Sequence, residues 1–139
     1  MILGRWQIRR WEQSYDDGRM INPMGTRLEG FIQYDEDERM CCFIARADSP
    51  KFMSGGQWDA SDAEKVRAYE SCLSYAGRYR IDGDQIEHMV EFSLFPNWKG
   101  GTQIRKASFA GDELRLTARL EEGTPQARTA SLAWTRFIG

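Results

Sequence analysis

The sequence predicts an all-β protein: an antiparallel barrel of roughly eight strands, with one helix inserted between the third and fourth strands. Eight segments alternate between apolar and polar residues, which is typical of strands that bury one face. Two of their connections are short and contain glycine, and a single segment has helical spacing instead. The eight segments are residues 4–11, 30–34, 39–45, 77–81, 85–94, 102–109, 113–119 and 129–137.

The connections predict antiparallel neighbours. Residues 82–84 read Asp-Gly-Asp and residues 110–112 read Ala-Gly-Asp, which is the composition of tight hairpins. Residues 96–101 and 121–128 contain glycine and proline and are long enough for open loops. The second half of the chain is therefore expected to form a meander of strands.

The one helical segment covers residues 61–75. Ser61 or Asp62 can cap its N-terminus, and Glu64 stands where a capping box requires an acidic side chain. Apolar residues recur along it at helical spacing: Val66, Tyr69, Cys72 and Leu73.

Length and composition favour one folded domain, residues 1–139. Hydrophobic residues make up 41% of the chain and charged residues 29%, as in an ordinary globular protein. The net charge of −2 comes from 19 basic and 21 acidic residues that are scattered along the sequence. Because no block of one sign exists, we do not expect nucleic acid or an anionic membrane as a partner.

Cysteine usage and the opening residues predict a cytoplasmic location. The first ten residues alternate like a strand and show no signal-peptide core, and no run could span a bilayer. The cysteines, Cys41, Cys42 and Cys72, are odd in number and dispersed, so they do not predict a disulfide framework. With one histidine they also do not supply the four converging ligands of a zinc site. We expect no metal and no cofactor.

His88, the single histidine, lies at the centre of the clearest alternating run. The residues that share its inward face are Ile86, Val90, Phe92 and Leu94. On the other strands the predicted inward residues are Trp6, Ile8, Ile32, Tyr34, Tyr79, Ile81, Leu114, Leu116, Ala118, Leu132, Trp134 and Arg136. On the strand at 102–109, Gln103 and Arg105 face inward if Ala107 and Phe109 do, whereas the opposite register places Ile104 inward.

Polar residues on the inward faces favour a barrel over a two-sheet sandwich. Each unpaired buried polar group costs about 1–3 kcal/mol, so a dry sandwich core is a poor place for His88, Arg105 and Gln103 together. A barrel with a partly wet cavity accepts them, and small barrels of this strand number have room for one small ligand.

Several motifs resemble those of the bacterial and fungal lipocalin-like domain family of short proteins. In sequence order they are Gly4-Arg5-Trp6, Asn22-Pro23-Met24-Gly25, Gly30-Phe31-Ile32-Gln33-Tyr34, Tyr75-Ala76-Gly77-Arg78-Tyr79, Glu87-His88-Met89-Val90-Glu91, Pro96-Asn97-Trp98-Lys99-Gly100 and Arg105. Arg136, near the far end of the chain, resembles the arginine that covers the first-strand tryptophan in lipocalins. The resemblance implies a lipocalin-like barrel. Met89 departs from the family, in which a second histidine is common at this position.

The candidate ligand-binding residues are the polar and aromatic side chains of the expected cavity. They are His88, Arg105, Tyr34, Tyr75, Tyr79, Val90, Phe92, Trp98 and Gln103. His88 is interpreted either as a core histidine satisfied by polar neighbours or as a ligand anchor or acid and base. Arg105 needs either an internal acid, Glu70 or Glu91, or a ligand carboxylate or carbonyl oxygen.

The aromatic candidates have structural alternatives as well. The tyrosines can pack in the core or rim, or offer hydroxyl donors to a cavity. Trp98, in a glycine-rich loop, can act as a lid or pack against the helix. Trp6 with Arg136 is interpreted as a structural cation–π pair that closes one end of the barrel.

Two functions fit this pattern. The first is a binding protein that holds a small apolar or amphipathic molecule, with its polar end at Arg105, His88 and a tyrosine. The second is a cofactor-free isomerase, cyclase or hydratase in which His88 moves a proton and Arg105 or Tyr79 stabilises an oxyanion. A filled barrel without a ligand is the third alternative. The apolar residues Met20, Phe52 and Met53 can either form a homodimer seam or cover a barrel end.

Overall fold

The structure, a computed structural model, describes residues 2–137. Nine strands and one α-helix account for most of them. In chain order these are β1 (Gly4–Tyr15), β2 (Met20–Ile21), β3 (Leu28–Tyr34), β4 (Arg39–Arg46), α1 (Asp62–Glu70), β5 (Cys72–Asp82), β6 (Gln85–Ser93), β7 (Thr102–Ala110), β8 (Glu113–Leu120) and β9 (Arg128–Arg136). A 3₁₀ turn, Pro96–Trp98, lies between β6 and β7. Within this part of the chain, no helix combines the length and the apolar character that crossing a membrane requires.

Eight of the strands close into an antiparallel barrel. The order is β1, β3, β4, β5, β6, β7, β8 and β9, and β9 pairs with β1 again to complete the ring. The ninth strand, β2, pairs only with the end of β1. The predicted all-β class and antiparallel barrel are confirmed. Because the two-residue β2 was not predicted, α1 follows the fourth strand in the chain rather than the third.

The up-and-down topology gives the barrel two different ends. The β3–β4, β5–β6 and β7–β8 turns meet at one end, where β1 begins and β9 stops; this is the closed end. The connections β4–β5, β6–β7 and β8–β9 meet at the other, which carries α1 and the 3₁₀ turn; this is the open end. Tight turns therefore lie at one end and the longer connections at the other.

The closed end is filled by side chains. Trp6, Ile86 and Leu114 are almost fully buried there. The Trp6 indole N–H donates to the Ile2 carbonyl over 2.8 Å, and the Arg136 guanidinium lies 4.1 Å from the centre of the Trp6 ring. This is the arrangement that the sequence predicted for Trp6 and Arg136.

The inward orientation predicted for Phe92 is wrong, because a β-bulge reverses the alternation of β6. Ala76 of β5 pairs with Phe92 and Gly77 pairs with Val90, so Glu91 is an extra residue that has no pairing partner on β5. Phe92 consequently points outward with 67% of its surface exposed. Gly77 permits this close contact, since a Cβ atom there would lie 2.0 Å from the Met89 carbonyl oxygen.

Two other residues predicted to face inward are only half buried, because they lie at the closed rim. Ile81 and Phe109 pair with the buried Ile86 and Leu114 and share their face, but each is about half exposed. On β7 the register that places Ala107 inward is the observed one, since Arg105 faces inward and Ile104 is 52% exposed.

The helix is shorter than predicted. The Ser61 side chain accepts from the Glu64 backbone N–H, and the Glu64 carboxylate accepts from the Ser61 backbone N–H, so the predicted capping box is confirmed. The helix ends at Glu70, however, and Cys72 and Leu73 belong to β5.

Candidate functional site

A cavity of about 460 Å³ occupies the half of the barrel toward the open end. Its wall is mostly aliphatic and aromatic, with a few polar groups. The apolar wall includes Trp11, Met24, Ile32, Ile44, Leu73, Leu116, Leu132 and Trp134. The polar wall includes Gln13, Cys42, Tyr75, His88, Ser93, Gln103 and Arg105. A pocket of this size and composition is typical of small-molecule sites.

His88 lies at the inner end of the cavity between two tyrosines. It is 1% exposed, and its ring nitrogens both have partners: the Tyr34 hydroxyl oxygen lies 2.7 Å from Nε2 and the Tyr75 hydroxyl oxygen lies 2.8 Å from Nδ1. Tyr34 ends β3 and Tyr75 lies on β5, so the imidazole is clamped from two strands besides its own. The interpretation of His88 as a histidine satisfied by polar neighbours therefore agrees with its geometry.

The environment keeps His88 neutral. Burial, together with the charge of Arg105, lowers the pKa of His88 from 6.5 to about 3. At neutral pH one ring nitrogen therefore donates a hydrogen bond and the other accepts one. An imidazole in this state holds its tyrosine partners in place but is a weak proton donor or acceptor.

Arg105 enters the cavity without an acidic partner. Its Nη1 donates to the Ile104 carbonyl over 3.0 Å, and its Nη2 donates to Gln103 Oε1 over 3.2 Å. Neither predicted acid meets it: Glu91 pairs with Arg39 at 2.6 Å outside the barrel, and Glu70 is exposed at the end of α1. Among residues 2–137 Arg105 forms no ion pair within 4.0 Å. Two neutral acceptors leave most of its five N–H groups available.

The tyrosine and cysteine side chains near His88 are uncharged. Burial raises the pKa of the Tyr34 and Tyr75 hydroxyls and of the Cys42 thiol above their ordinary values. All three stay protonated at neutral pH, so Cys42 is not a thiolate nucleophile. The cavity therefore offers hydroxyl and guanidinium donors on an otherwise apolar wall.

The structure brings together five of the nine predicted site residues. His88, Arg105, Tyr75, Trp98 and Gln103 all line the cavity.

The other four lie elsewhere. Tyr34 is behind the imidazole, and Val90 is buried in the packed core. Tyr79 donates to the Asp35 carbonyl over 2.7 Å at the closed end, and Phe92 is on the outer surface. Their expected contact with a ligand has no support from this placement.

Trp98 lies at the mouth of the cavity. The 3₁₀ turn carries it to the open end, where it lines the cavity and is only partly buried. Its ring meets Tyr75 edge-on at a centroid distance of 5.6 Å, and it contacts Phe95 at the same distance. Trp98 therefore connects the mouth of the cavity to the tyrosine that contacts His88.

The sequence analysis missed part of the wall. Trp11 and Gln13 line the cavity because a bulge in β1 next to Arg9 shifts the register against β9. The signal available was the length of the alternating segment, which continues past Trp11 to Tyr15. Leu132 and Trp134 were predicted to face inward, but alternation does not distinguish a cavity wall from a packed core.

Comparison with known proteins agrees with this architecture. A family model described as a lipocalin-like domain matches residues 3–137. A lipocalin-like protein of Bacteroides uniformis has the same fold, with a TM-score of 0.50, 16% identity and coverage of 98% of both chains. An uncharacterized protein of Bacteroides eggerthii has a TM-score of 0.48, with 14% identity over 99% of this chain and 100% of that one.

One curated relative is similar in sequence over part of the chain. The 4'-hydroxy-3'-methoxypropiophenone carrier protein ppsC of Aspergillus oryzae is 33% identical over 75 residues. The match covers 48% of this chain and 63% of the relative, which is less than two thirds of its length. The family model covers nearly the whole barrel, including His88 and Arg105, and on that match the chain belongs to the lipocalin-like domain family.

Proposed function

We propose that this protein binds a small, mostly apolar molecule in the barrel cavity and carries it with its polar end next to Arg105. The observation that carries this proposal is a cavity of about 460 Å³ whose apolar wall is interrupted by Arg105, Tyr75 and His88. Apolar surface supplies affinity in such a site, while a few polar groups fix the orientation of the ligand.

The wall supports an aromatic ligand. Trp11 of β1, Trp134 of the neighbouring β9 and Trp98 of the 3₁₀ turn line the cavity, and Tyr75 adds a fourth ring near its inner end. Aromatic rings that meet edge-on or offset add about 0.5–1.5 kcal/mol beyond the area they bury. The relative from Aspergillus oryzae is named as the carrier of a propiophenone, an aromatic ketone, which supports carriage of a similar molecule here.

Catalysis by His88 receives less support. Both ring nitrogens are engaged by tyrosine hydroxyls, and the low pKa makes the imidazole a poor base. Tyr79, the other residue expected to act in an isomerase, cyclase or hydratase, donates to a backbone carbonyl away from the cavity. Binding requires only the donors that the wall provides.

The test is titration with a neutral aromatic ketone, the fluorescent probe 6-propionyl-2-dimethylaminonaphthalene. We expect saturable binding of one probe per chain, accompanied by a blue shift of its emission. Ala118→Phe should abolish this binding because Ala118 lines the cavity, whereas Ala110→Phe on the exposed end of β7 should not. Equal binding by both variants, or a folded protein that binds neither this ketone nor an aromatic carboxylate of similar size, would contradict the proposal.

A further inference from the structure

The cavity holds a positive charge that the described residues do not neutralise. The ionisable residues along its wall are Cys42, Tyr69, Glu70, Cys72, Tyr75, His88 and Arg105. Glu70 is the single carboxylate in this set, and it is solvent-exposed at the mouth, on the last residue of α1, without an ion pair to Arg105. An arginine side chain carries a positive charge in proteins, so the inner part of the cavity is cationic.

The field of Arg105 reaches residues on three other strands. Its charge lowers the pKa of His88 and opposes the effect of burial on the pKa of Tyr75 and Cys42. These residues belong to β6, β5 and β4, so the potential is positive across the inner wall. Because the surroundings are apolar, a charge placed there interacts more strongly than it would in water.

The hydrogen bonds of His88 orient a second donor, the Tyr75 hydroxyl, toward the cavity that Arg105 lines. Tyr34 is 1% exposed, and among the described residues its hydroxyl has no hydrogen-bond partner other than His88. If Nε2 carried the proton, the Tyr34 hydroxyl hydrogen would be buried without an acceptor, which costs about 1–3 kcal/mol.

The opposite tautomer gives a partner to both ring nitrogens and to the Tyr34 hydroxyl. The Tyr34 hydroxyl then donates to Nε2, and the Nδ1–H of His88 donates to the Tyr75 hydroxyl oxygen. The hydrogen of the Tyr75 hydroxyl is left free for a ligand, because Tyr75 lines the cavity and Tyr34 does not. The tautomer follows from the network of hydrogen bonds.

We propose that the ligand binds as an anion, with a carboxylate or an ionised phenol oxygen that accepts hydrogen bonds from both Arg105 and Tyr75. This proposal rests on the proposed function and adds the charge of the ligand. A neutral carbonyl group would accept the same hydrogen bonds but would leave the Arg105 charge unneutralised in an apolar cavity. A carboxylate adds Coulombic attraction to the Arg105 charge in surroundings of low polarity, so the anion is preferred.

The test compares three molecules of one shape: 4-phenylbutanoate, 4-phenylbutanamide and 4-phenylbutylamine, titrated at pH 7 by calorimetry. We expect the carboxylate to bind roughly 10–100-fold more tightly than the amide, the range that hydrogen bonds to a charged group supply. The amine should bind most weakly. An amide that binds as tightly as the carboxylate would overturn the inference.

Matched variants identify the side chains that cause the preference for the carboxylate over the amide. Arg105→Met should remove the preference for the carboxylate while leaving amide affinity within about threefold, since Met keeps an apolar side chain of similar length. Lys106→Met is its control, because Lys106 is the next residue of β7 and faces outward. Tyr75→Phe should weaken carboxylate binding about tenfold, as expected for one hydrogen bond to a charged group. Tyr79→Phe, which loses a hydroxyl at the closed end, should not.

The outcomes separate the two proposals. Binding of the neutral naphthyl ketone with no preference for the carboxylate would overturn the anion inference and leave the carrier function standing. A carboxylate preference that survives Arg105→Met would also overturn the inference. Failure of the ketone and all three phenyl compounds to bind the folded protein would overturn the carrier function itself.

Discussion

The closed and open halves of the barrel are built from the same eight strands but have different contents. In the closed half Trp6, Ile86 and Leu114 are at most 3% exposed and pack against one another. In the open half smaller or polar residues on the same strands, such as Ala118 of β8 and Ser93 of β6, leave a cavity of about 460 Å³. Strand number sets the diameter of the barrel, while side-chain volume decides which half is filled.

His88 lies at the boundary between the two halves. Tyr34 approaches it from the packed side and Tyr75 from the cavity side. The packed half therefore fixes the orientation of the imidazole, and the imidazole in turn fixes a hydroxyl that faces the empty half. A polar layer of this kind is stable because each ring nitrogen has a partner.

The largest effect is expected when one leucine is truncated in each half of the barrel. Leu114→Ala should lower the free energy of unfolding by about 3 kcal/mol, because a new void opens in a packed core. Leu132→Ala should cost about 1 kcal/mol, since Leu132 is partly buried and already faces the cavity. Urea unfolding of both variants provides the measurement. Equal losses would show that the halves are equally packed.

The pH dependence of stability tests whether His88, at the boundary between the two halves, is buried and neutral. The folded-state pKa of His88 is about 3 and the ordinary value is 6.5, so below pH 6.5 the unfolded chain takes up a proton that the folded chain does not. Stability is then lost as pH falls, by up to about 1.4 kcal/mol per unit and by about 2 kcal/mol between pH 6.5 and 5. His88→Gln lacks this dependence and controls for the carboxylates. Parallel pH profiles for the two proteins would contradict a buried neutral histidine.

At the closed end, Arg136→Gln should lower the free energy of unfolding by about 1 kcal/mol, because the cation that stacks on Trp6 is lost. Ligand affinity should not change, since Arg136 does not line the cavity. Thermal unfolding and titration with the naphthyl ketone measure the two effects. Weaker ketone binding in this variant would mean that the two ends are coupled.

At the open end the expected effect on stability is the smallest. Trp98→Ala should lower the free energy of unfolding by only about 0.5 kcal/mol, because Trp98 is partly exposed on a surface turn. Its effect should fall on the ligand, whose dissociation should become several-fold faster once the ring against Tyr75 is removed. Stopped-flow displacement of the ketone measures this rate. An unchanged rate would contradict a lid role.

Alternation predicted the strands and the inward position of His88, because the pattern is local to one strand. For Arg105 it left two registers open, with either Arg105 or Ile104 inward. It failed at Phe92, where the bulge at Glu91 depends on a partner strand and on the small size of Gly77. It also could not separate the two halves. Leu114 and Leu132 have the same pattern in sequence, and only the side chains that face them across the barrel distinguish core from cavity wall.

The helix also shows that local patterns in the sequence predict some boundaries and miss others. Its start was predicted from the Ser61 capping box, which is a local hydrogen-bond pattern. Its end was not, because Cys72 and Leu73 have helical spacing in sequence but pair with Ala45 and Ile44 of β4. Strand pairing over this distance has no signal in the segment itself.

The most direct test of a ligand cavity organised around His88 uses the ¹⁵N resonances of its imidazole, which are unambiguous because the chain has a single histidine. We predict a neutral ring with the proton on Nδ1 from pH 8 down to pH 5, and saturable shifts at one equivalent of bound 4-phenylbutanoate. An imidazole that titrates near pH 6.5 and does not respond to the carboxylate would contradict a ligand cavity organised around His88.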